Sequence, residues 1–229
     1  IKKPMISYHE HNKTQKNAFI CDRLLNGETC ALVSDAGMPA ISDPGEELVA
    51  ECAQKGICIT VVPGPSAVIS ALAISGLYTG RFTFEGFLSV KKKSRREHLE
   101  EIKKEKRTLI FYEAPHKLSA TLIDLFKTLG NRKISIVREI TKIHEEVIRT
   151  TLEEAVNNYS NNELRGEIVL IIQGNTDPET NENAYTAELA QKMAQDFLSQ
   201  GDSMAEAAKK TAKITNLKRS EIYKSLLND

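Results

Sequence analysis

The sequence predicts an α/β protein with two α/β units and a small helical module after them. Short runs of β-branched residues alternate with amphipathic stretches between residues 31 and 173, an order typical of strands connected by helices. A segment bounded by glycines, Gly76–Gly80, divides this alternation into two sets. Residues 184–229 contain no strand pattern and have helical periodicity. The predicted domains are residues 1–79, 80–174 and 184–229, with a polar linker over residues 175–183.

The first set of elements predicts a parallel sheet with right-handed crossovers. Its strands and helices alternate in the order Ala31–Val33, Asp43–Gly56, Ile57–Val62 and Ser66–Ser75. Asp43 suits the N-cap of the first helix, and Pro44 suits its first turn. Gly76 follows the second helix at the position where glycine ends many helices.

The second set predicts further strands and helices, and the last domain predicts helices alone. The strands are Thr83–Leu88, Thr108–Tyr112, Ile134–Val137 and Glu167–Gln173. The helices between them are Ser94–Lys106, Pro115–Gly130 and Leu152–Tyr159. The last domain has helical stretches at Thr186–Ser199, Ser203–Ala212 and Lys218–Leu227, with turns at Gly201 and Asn216. Short helices with tight turns resemble a helix-turn-helix module, and a packing or dimerisation appendage is the alternative.

Composition excludes several classes of protein. Of the 229 residues, 41% are hydrophobic and 27% are charged, as in ordinary globular proteins. The longest apolar run, Ala67–Leu77, is shorter than the ~18 residues that a membrane span needs and is broken by serines and a glycine. Lysine plus arginine equals aspartate plus glutamate, at 31 each, which excludes a uniformly basic surface but permits a local basic patch.

The cysteines favour a reducing environment and no metal site. Cys21, Cys30, Cys52 and Cys58 form no CxxC pair and lie far from any histidine cluster. Because Cys30 and Cys58 lie in apolar, strand-like runs, we expect buried free thiols and a cytoplasmic location. The segment His9–His11 is interpreted as a polar loop, so no metal is expected.

A long loop of small and rigid residues, Ser34–Gly45, follows the first predicted strand. Open α/β sheets bind ligands at the carboxyl ends of their strands, and rigid loops of this length are uncommon as mere connections. Gly37 permits a ligand to approach the backbone, and Asp35 can accept hydrogen bonds from a ribose or an amide. The loop therefore predicts a ligand site, whereas for Asp43 a helix cap alone is the alternative.

A second strand-to-helix junction, Pro63–Ala67, offers unpaired amides at a helix start and the hydroxyl of Ser66. It is not a Walker loop, because no lysine follows at the required spacing. The chain contains no G-x-G-x-x-G motif, which disfavours a Rossmann dehydrogenase. For Ser66 alone, an N-cap role is the alternative.

Two charged segments follow later strands, Tyr112–Lys117 and Arg138–Glu146. Each places a histidine, His116 or His144, among charged neighbours, which favours a functional site, although either histidine alone is more often structural. Neither segment has the spacing of metal ligands, such as H-E-x-x-H.

A basic segment precedes the predicted strand Thr108–Tyr112. Residues 91–107 contain nine lysines or arginines against four glutamates. The cluster at its start consists of Lys91, Lys92, Lys93, Arg95 and Arg96. In an otherwise neutral chain, this cluster predicts contact with a phosphate backbone. A solvated helix face with charge pairs is the alternative.

Taken together, five segments resemble the tetrapyrrole methylase superfamily and, within it, the branch that methylates RNA of the small ribosomal subunit. They are Ser34–Gly45, Pro63–Ala67, Arg81–Leu88, Phe111–His116 and Arg138–Glu145, and Ser7–Asn12 also matches. The order and spacing of the set are specific, whereas no single segment is. The resemblance covers about residues 4–174, and the helical module is similar to one found in many members.

The resemblance implies S-adenosylmethionine as methyl donor and the ribose 2′-hydroxyl of a cytidine in small-subunit ribosomal RNA as acceptor. It also implies two α/β domains with the donor in the cleft between them, and a homodimer. The implied donor-binding residues are Ser34, Asp35, Gly37, Met38, Ser66, Ala67 and Tyr112. The family opens with a strand and a proline–glycine loop that also contacts the donor, and that segment would precede Ile1.

Methyl transfer from a sulfonium is an in-line displacement that requires neither a metal nor a covalent intermediate. The main task is to align the acceptor oxygen, and a base or a cation that favours the alkoxide helps. The candidate bases are Glu113, His116, Glu139, His144 and Glu145, and the candidate electrostatic helpers are Arg138 and Lys142. We favour the segment Arg138–Glu145, whose members the sequence does not rank.

Two other functions are alternatives at this point. A tetrapyrrole C-methyltransferase would share the fold and the donor but would lack the lysine-rich segment and the Arg138–Glu145 cluster. A non-catalytic RNA-binding protein is disfavoured by the loop around Asp35. Titration with S-adenosylmethionine, followed by assay of small subunits as methyl acceptor, separates the three.

Overall fold

A computed structural model describes residues 2–159, 164–176, 187–215 and 217–227. The chain forms two compact units, residues 1–175 and residues 176–229. A domain boundary near residue 80, inside the first unit, stays a prediction. Residues 177–183 of the predicted linker and the predicted turn at Asn216 lie outside the described residues.

A five-stranded mixed sheet lies at the centre of the first unit. Its strands are β1 (Phe82–Gly86), β2 (Thr108–Glu113), β3 (Lys133–Arg138), β4 (Glu146–Thr151) and β5 (Ile168–Ile172), in the order β1-β2-β5-β3-β4. β1 and β2 are parallel, whereas β5 is antiparallel to both β2 and β3, and β4 is antiparallel to β3. β1, β2 and β3 therefore end at the same edge of the sheet, which we call the carboxyl edge, and β4 and β5 begin there.

Helices cover both faces of this sheet. Those of the first unit are α1 (Lys13–Leu25), α2 (Glu46–Gln54), α3 (Ala67–Ile74), α4 (Lys92–Glu101), α5 (Leu118–Leu129) and α6 (Leu152–Tyr159). Alternate residues of β2 point to opposite faces: Leu109 and Phe111 pack against α4, α5 and α6, whereas Ile110 packs against α3. All three side chains are at most 1% exposed, and burial of this kind is the main stabilising contribution to such a layered fold.

The predictions for this sheet are confirmed where strands alternate with helices. β1, β2, β3 and β5 lie within a few residues of the predicted strands, and the helices between them are also present. Two elements were not predicted: the helix α1 and the strand β4. β4 was missed because its segment, Glu146–Thr151, carries charged and polar residues and lies at the edge of the sheet, where only one side is paired.

The predicted strands of the first set, Ala31–Val33 and Ile57–Val62, are wrong, and so is the parallel sheet they implied. Both segments lack regular secondary structure, and Val33, Val61 and Val62 are 78%, 66% and 87% exposed. A strand exists only when its backbone groups pair with a neighbour, and these segments form no ladder with any described residue. An apolar run alone does not specify a partner.

Two local predictions in the same region are also wrong. The helix α2 begins at Glu46 with Gly45 at its N-cap, so Asp43 does not cap it. Cys30 and Cys58 are exposed rather than buried, because the runs that contain them do not enter a sheet. Cys21 and Cys52 are buried as free thiols between α1 and α2, with 3.8 Å between their sulfur atoms.

The second unit is helical, as predicted. It consists of α7 (Ala187–Ser199), α8 (Met204–Thr215) and α9 (Arg219–Ser225). These helices pack around a small core of Ala194, Ala208, Ile222 and Leu226. No helix among the described residues has the length and apolar character needed to cross a bilayer.

Candidate active site

The two loops predicted to bind the methyl donor lie against each other. A Cβ atom at Gly37 would lie 4.0 Å from the carbonyl oxygen of Pro65, and one at Gly64 would lie 3.6 Å from the Met38 sulfur. Gly37 also has a φ of +75°, which favours glycine. The backbones of the 34–45 loop and the 63–66 loop therefore come close together, as a shared ligand site requires.

Polar groups of these loops are free to bind a ligand. The Asp35 carboxylate is exposed and makes no hydrogen bond or ion pair to the described residues. Ser66 occupies the N-cap of α3 in extended conformation, and its side chain makes no capping hydrogen bond. The Ser66 side chain therefore does not satisfy the first-turn amides of α3, and of these amides the one of Val68 interacts with the Tyr112 phenol. The Ser34 hydroxyl is instead used within its own loop, where it donates to the Ala36 carbonyl at 3.1 Å.

Tyr112 connects the sheet to this pair of loops. Its ring packs edge-on against Phe84, with 5.0 Å between ring centroids, and lies 5.6 Å from Phe87. Burial raises the pKa of the Tyr112 phenol, the Val68 amide in the first turn of α3 opposes this, and Asp43 adds to it. The phenol is therefore neutral at physiological pH, and it interacts with the first turn of α3 through the Val68 amide and electrostatically with Asp43 of the 34–45 loop.

The charged segment after β3 forms a compact turn, which we call the 138–145 loop. The Glu139 carboxylate accepts from the Glu167 amide at 2.9 Å and from Lys142 Nζ at 3.0 Å. These two contacts lower the pKa of Glu139, and the carboxylates of Glu139 and Glu167 raise the pKa of Lys142. Glu145 accepts from the Thr141 amide at 2.6 Å, which closes the turn.

Arg138, at the start of this loop, is also paired. Its Nε donates to Glu146 at 2.6 Å, and its Nη1 donates to the Arg165 carbonyl at 3.2 Å. The structure thus brings together Arg138, Glu139, Lys142 and Glu145 at the carboxyl edge, and most of their charges are engaged with one another, with Glu146 or with residues 165–167.

Backbone strain is concentrated in the predicted site loops. Among the described residues, the non-glycine residues with positive φ are Ala40 at 65°, Glu139 at 50° and Thr141 at 65°. Such conformations cost roughly 1–3 kcal/mol each and accumulate at functional sites. Ala40 lies in the 34–45 loop and the other two lie in the 138–145 loop, so the strain supports the choice of these two segments.

Glu113 differs from the other candidate residues because it lies inside the protein. Its side chain points to the α5 face of the sheet and is 4% exposed. One carboxylate oxygen accepts from the Ala114 amide at 2.8 Å, and the other accepts from the Thr121 hydroxyl. Arg95 donates to Thr121 at 2.9 Å and to Asp124 at 2.7 Å, so these four residues form one network between β2, α4 and α5.

The two candidate histidines lie at the carboxyl edge, His116 after β2 and His144 after β3. Both are exposed, and neither makes a side-chain hydrogen bond within the described part of the chain. β5 lies between β2 and β3, so the two strands are about 10 Å apart. Over the described ranges, no group of three or more His, Cys, Asp or Glu residues is arranged to hold a metal ion.

The basic segment lies mainly on α4, the crossover helix between β1 and β2. Lys91, Lys92, Lys93 and Arg96 are exposed. A surface groove of about 510 Å³ runs beside them and is lined by Lys92, Lys93, Arg96, Glu97 and Glu100. Arg95 points the other way, into the Glu113 network, and its side chain is 15% exposed.

Comparison with known proteins identifies the family. The model of a family described as Tetrapyrrole (Corrin/Porphyrin) Methylases matches residues 2–156. The chain belongs to the tetrapyrrole methylase family. Among solved structures, the methyltransferase CobJ has a similar fold, with a TM-score of 0.54 and 17% identity over 78% of this chain and 77% of CobJ.

Curated relatives within the family are closer in sequence. A protein of Halalkalibacterium halodurans is 46% identical over 96% of this chain and 76% of its own length, and one of Bacillus subtilis is 40% identical over 97% and 77%. One of Thermotoga maritima is 44% identical over 76% of this chain and 78% of its own length. Each carries the name ribosomal RNA small subunit methyltransferase I.

The structure adds site residues that sequence reasoning did not single out. Glu167 bonds to both Glu139 and Lys142, and the Asp43 carboxylate raises the pKa of Tyr112 instead of capping a helix. Glu167 was missed because it lies at the start of a predicted strand, whereas the charged candidate segments were chosen where strands end. No sequence signal marks the electrostatic interaction of Asp43 with a tyrosine about seventy residues further along the chain.

Proposed function

We propose that this chain is an S-adenosylmethionine-dependent methyltransferase that acts on RNA of the small ribosomal subunit. One observation carries the proposal: the 34–45 loop, the N-terminus of α3 and Tyr112 converge in a chain whose relatives, at 40–46% identity, bear the name of that activity. We further propose that the acceptor is the 2′-hydroxyl of a cytidine ribose, and that the enzyme works as a homodimer in the cytoplasm.

The residues on the donor side fit S-adenosylmethionine. Asp35 would accept hydrogen bonds from the ribose hydroxyls of the donor, and the α3 amides beside Ser66 and Ala67 would donate to its oxygens. Met38 and Tyr112 would supply apolar walls, and the glycines at 37 and 64 leave room next to the backbone. When bound, the donor supplies an electrophilic methyl group on a sulfonium sulfur.

On the acceptor side, the 138–145 loop would orient the ribose for in-line attack. Its charges are held by mutual hydrogen bonds, so the loop is preorganised, and small displacements of such groups can cost about a hundredfold in rate. A carboxylate whose pKa is lowered is a weak base, which argues against Glu139 as proton acceptor. Glu145 is engaged with the Thr141 amide.

Because Glu139 and Glu145 are already hydrogen-bonded, we propose that the imidazole of His116 or of His144 accepts the proton of the 2′-hydroxyl. For Glu113 we propose a positioning role, because its buried carboxylate fixes the start of α5 directly after His116.

We propose that the exposed face of α4 binds the phosphate backbone of the RNA. The contacts come from Lys91, Lys92, Lys93 and Arg96. Arg95 is not part of this proposed surface, since Thr121 and Asp124 engage its guanidinium. Each phosphate contact contributes about 0.7–0.9 to the slope of log affinity against log salt. Replacing Lys92, Lys93 and Arg96 by Gln should therefore weaken binding to small subunits and flatten its salt dependence.

The experiment uses full-length protein, titrated with S-adenosylmethionine by calorimetry and then assayed for methyl incorporation into small subunits. We expect donor binding, and methyl incorporation that falls in the α4 triple variant while its donor affinity is unchanged. Lys16→Gln, on α1, is the matched control for loss of a positive charge. Donor binding with transfer only to a porphyrin precursor would overturn the RNA substrate, and the absence of donor binding would overturn the enzyme.

A further inference from the structure

A surface cavity of about 820 Å³ lies at the edge of the sheet opposite the candidate active site. It is formed where β1 and β2 begin and where the segment after α4 ends, and its lining includes Tyr78, Arg81, Lys104, Lys106 and Arg107. Strands of five or six residues separate it from the carboxyl edge by roughly 17–20 Å. No residue assigned to donor binding or catalysis lines it.

Tyr78 presents an aromatic surface in this cavity. The residue is 69% exposed. The Thr108 hydroxyl, which is buried at the start of β2, donates to the Tyr78 carbonyl at 2.6 Å and fixes the backbone. The phenol lies against Gly80, where a Cβ atom would be only 2.5 Å from the Tyr78 hydroxyl oxygen. The ring can occupy this position because residue 80 is a glycine, and any larger residue would collide with the phenol.

Positive charge surrounds this ring. The cavity lining contains four cations, Arg81, Lys104, Lys106 and Arg107, and two carboxylates, Glu101 and Glu105. Arg107 donates to both oxygens of Glu105, at 2.9 and 2.7 Å, and this contact lowers the pKa of Glu105 to about 2. The pair is thus neutral at physiological pH. Arg81 is exposed and forms no ion pair with the residues that the structure describes.

We propose that this cavity binds a stretch of single-stranded RNA outside the methylated nucleotide, with one base stacked on Tyr78 and the neighbouring phosphates on Arg81 and the two lysines. An exposed aromatic ring next to several cations is the arrangement that binds single strands without reading their sequence. α4 runs from the carboxyl edge to this cavity because it connects two parallel strands. The groove lined by Lys92, Lys93 and Arg96 therefore lies between the candidate active site and this cavity. One RNA strand can follow the groove from the active site to the cavity.

This inference rests on the proposed function, and its test is chosen to separate the two. The probe is a ten-nucleotide oligouridine, whose affinity for full-length protein is measured by fluorescence anisotropy over a range of salt. Tyr78→Ala should weaken binding by roughly 5- to 150-fold, the contribution of one base–aromatic stack. Tyr78→Phe should bind within about twofold of wild type, because the ring alone stacks. Arg81→Gln should lower the salt slope by ~0.7, the value for one phosphate contact on a single strand.

Controls separate stacking from charge and from damage to the fold. An abasic oligonucleotide of the same length should bind wild type and Tyr78→Ala equally, since it has no base to stack. Tyr223→Ala, which removes an exposed aromatic ring from α9, and Lys16→Gln should leave oligouridine affinity unchanged. Equal affinity of Tyr78→Ala and wild type for oligouridine would overturn the proposal, and so would a loss for Tyr78→Phe as large as that for Tyr78→Ala.

Methyl incorporation into small subunits is measured on the same variants. If wild type methylates subunits and Tyr78→Ala matches it in KM and in oligouridine affinity, the proposed function stands and this inference fails. If wild type transfers no methyl group to subunits, the proposed function fails whatever the oligouridine result. We expect Tyr78→Ala to raise KM for subunits several-fold while donor affinity stays unchanged.

Discussion

Residues 2–76 and residues 82–172 have the same alternation of apolar runs and helices in sequence, yet only the second region forms a sheet. In the second region, strands such as β2 and β5 pair over five residues each and are almost entirely buried. In the first region, the equivalent runs are unpaired among the described residues and expose Val33 and Val62. An apolar pattern thus indicates which residues can be buried, but pairing decides whether they are.

The loops of the candidate site also differ in whether paired strands hold them in place. The 138–145 loop is fixed by a strand at each end and by hydrogen bonds to residues 165–167. The 34–45 and 63–66 loops lie on segments without regular structure and approach each other closely at Gly37 and Gly64. We therefore expect the acceptor side to be rigid and the donor side to gain order when the donor binds.

The largest effect should be on the free energy of unfolding, and it should differ between a buried residue of the second region and an exposed residue of the first. Leu122 in α5 is fully buried, so Leu122→Ala should lower the free energy of unfolding by about 2–5 kcal/mol through lost contacts and a cavity. Val62 is 87% exposed, so Val62→Ala should change it by less than about 0.5 kcal/mol. Urea unfolding followed by circular dichroism measures both. A cost for Val62→Ala near that of Leu122→Ala would mean that its segment is packed in solution.

The sequence predicts the elements that local patterns define, and it does not predict the contacts that depend on distant residues. Short runs of apolar and β-branched residues locate β2, β3 and β5, because each of these strands is almost entirely buried. The insertion of β5 between β2 and β3 is a long-range pairing that no local pattern specifies. Motif order locates the loops that we propose bind the donor. The inward orientation of Arg95 and Glu113 depends on Thr121, which lies on another element and carries no motif.

The second largest effect should come from a substitution that disturbs the 138–145 loop. Gly166 has a φ of +92°, and a Cβ atom there would collide with the Glu139 side chain. Gly166→Ala should displace Glu139 from Lys142 and from the Glu167 amide, and thereby misalign the 138–145 loop. We expect kcat for methyl transfer to fall by up to about a hundredfold while donor affinity stays unchanged.

Gly130→Ala is the matched control for this substitution. Gly130 also has a positive φ, +77°, but a Cβ atom there meets no other atom within 4 Å. It should therefore lower stability through backbone strain without changing kcat. A loss of kcat in Gly130→Ala equal to that in Gly166→Ala would mean that strain alone, and not the Glu139 contact, accounts for the effect.

The third effect concerns the donor side. Asp35 is exposed and uncommitted in the described chain, so Asp35→Ala should leave folding intact and weaken binding of S-adenosylmethionine at least tenfold, about 1.4 kcal/mol. Asp22→Ala, which removes an exposed carboxylate from α1, should leave that affinity unchanged. Isothermal calorimetry on full-length protein measures both. An unchanged dissociation constant for Asp35→Ala would remove this residue from the proposed site.

The smallest effect is a pH dependence of stability in the sheet region. Arg107 lowers the pKa of Glu105 from 4.5 to about 2, so the ionised carboxylate stabilises the folded state. Since the folded pKa is the lower one, this contribution is complete above pH 4.5 and is lost as the pH falls from 4.5 towards 2. Glu105→Gln removes it, so the difference in urea midpoint between wild type and variant should be largest at pH 7 and should shrink by pH 2.5. Glu100→Gln, next to Lys103 on the same segment, controls for loss of one carboxylate. A difference that stays constant from pH 7 to 2.5 would mean that Glu105 contributes by packing and not by its charge.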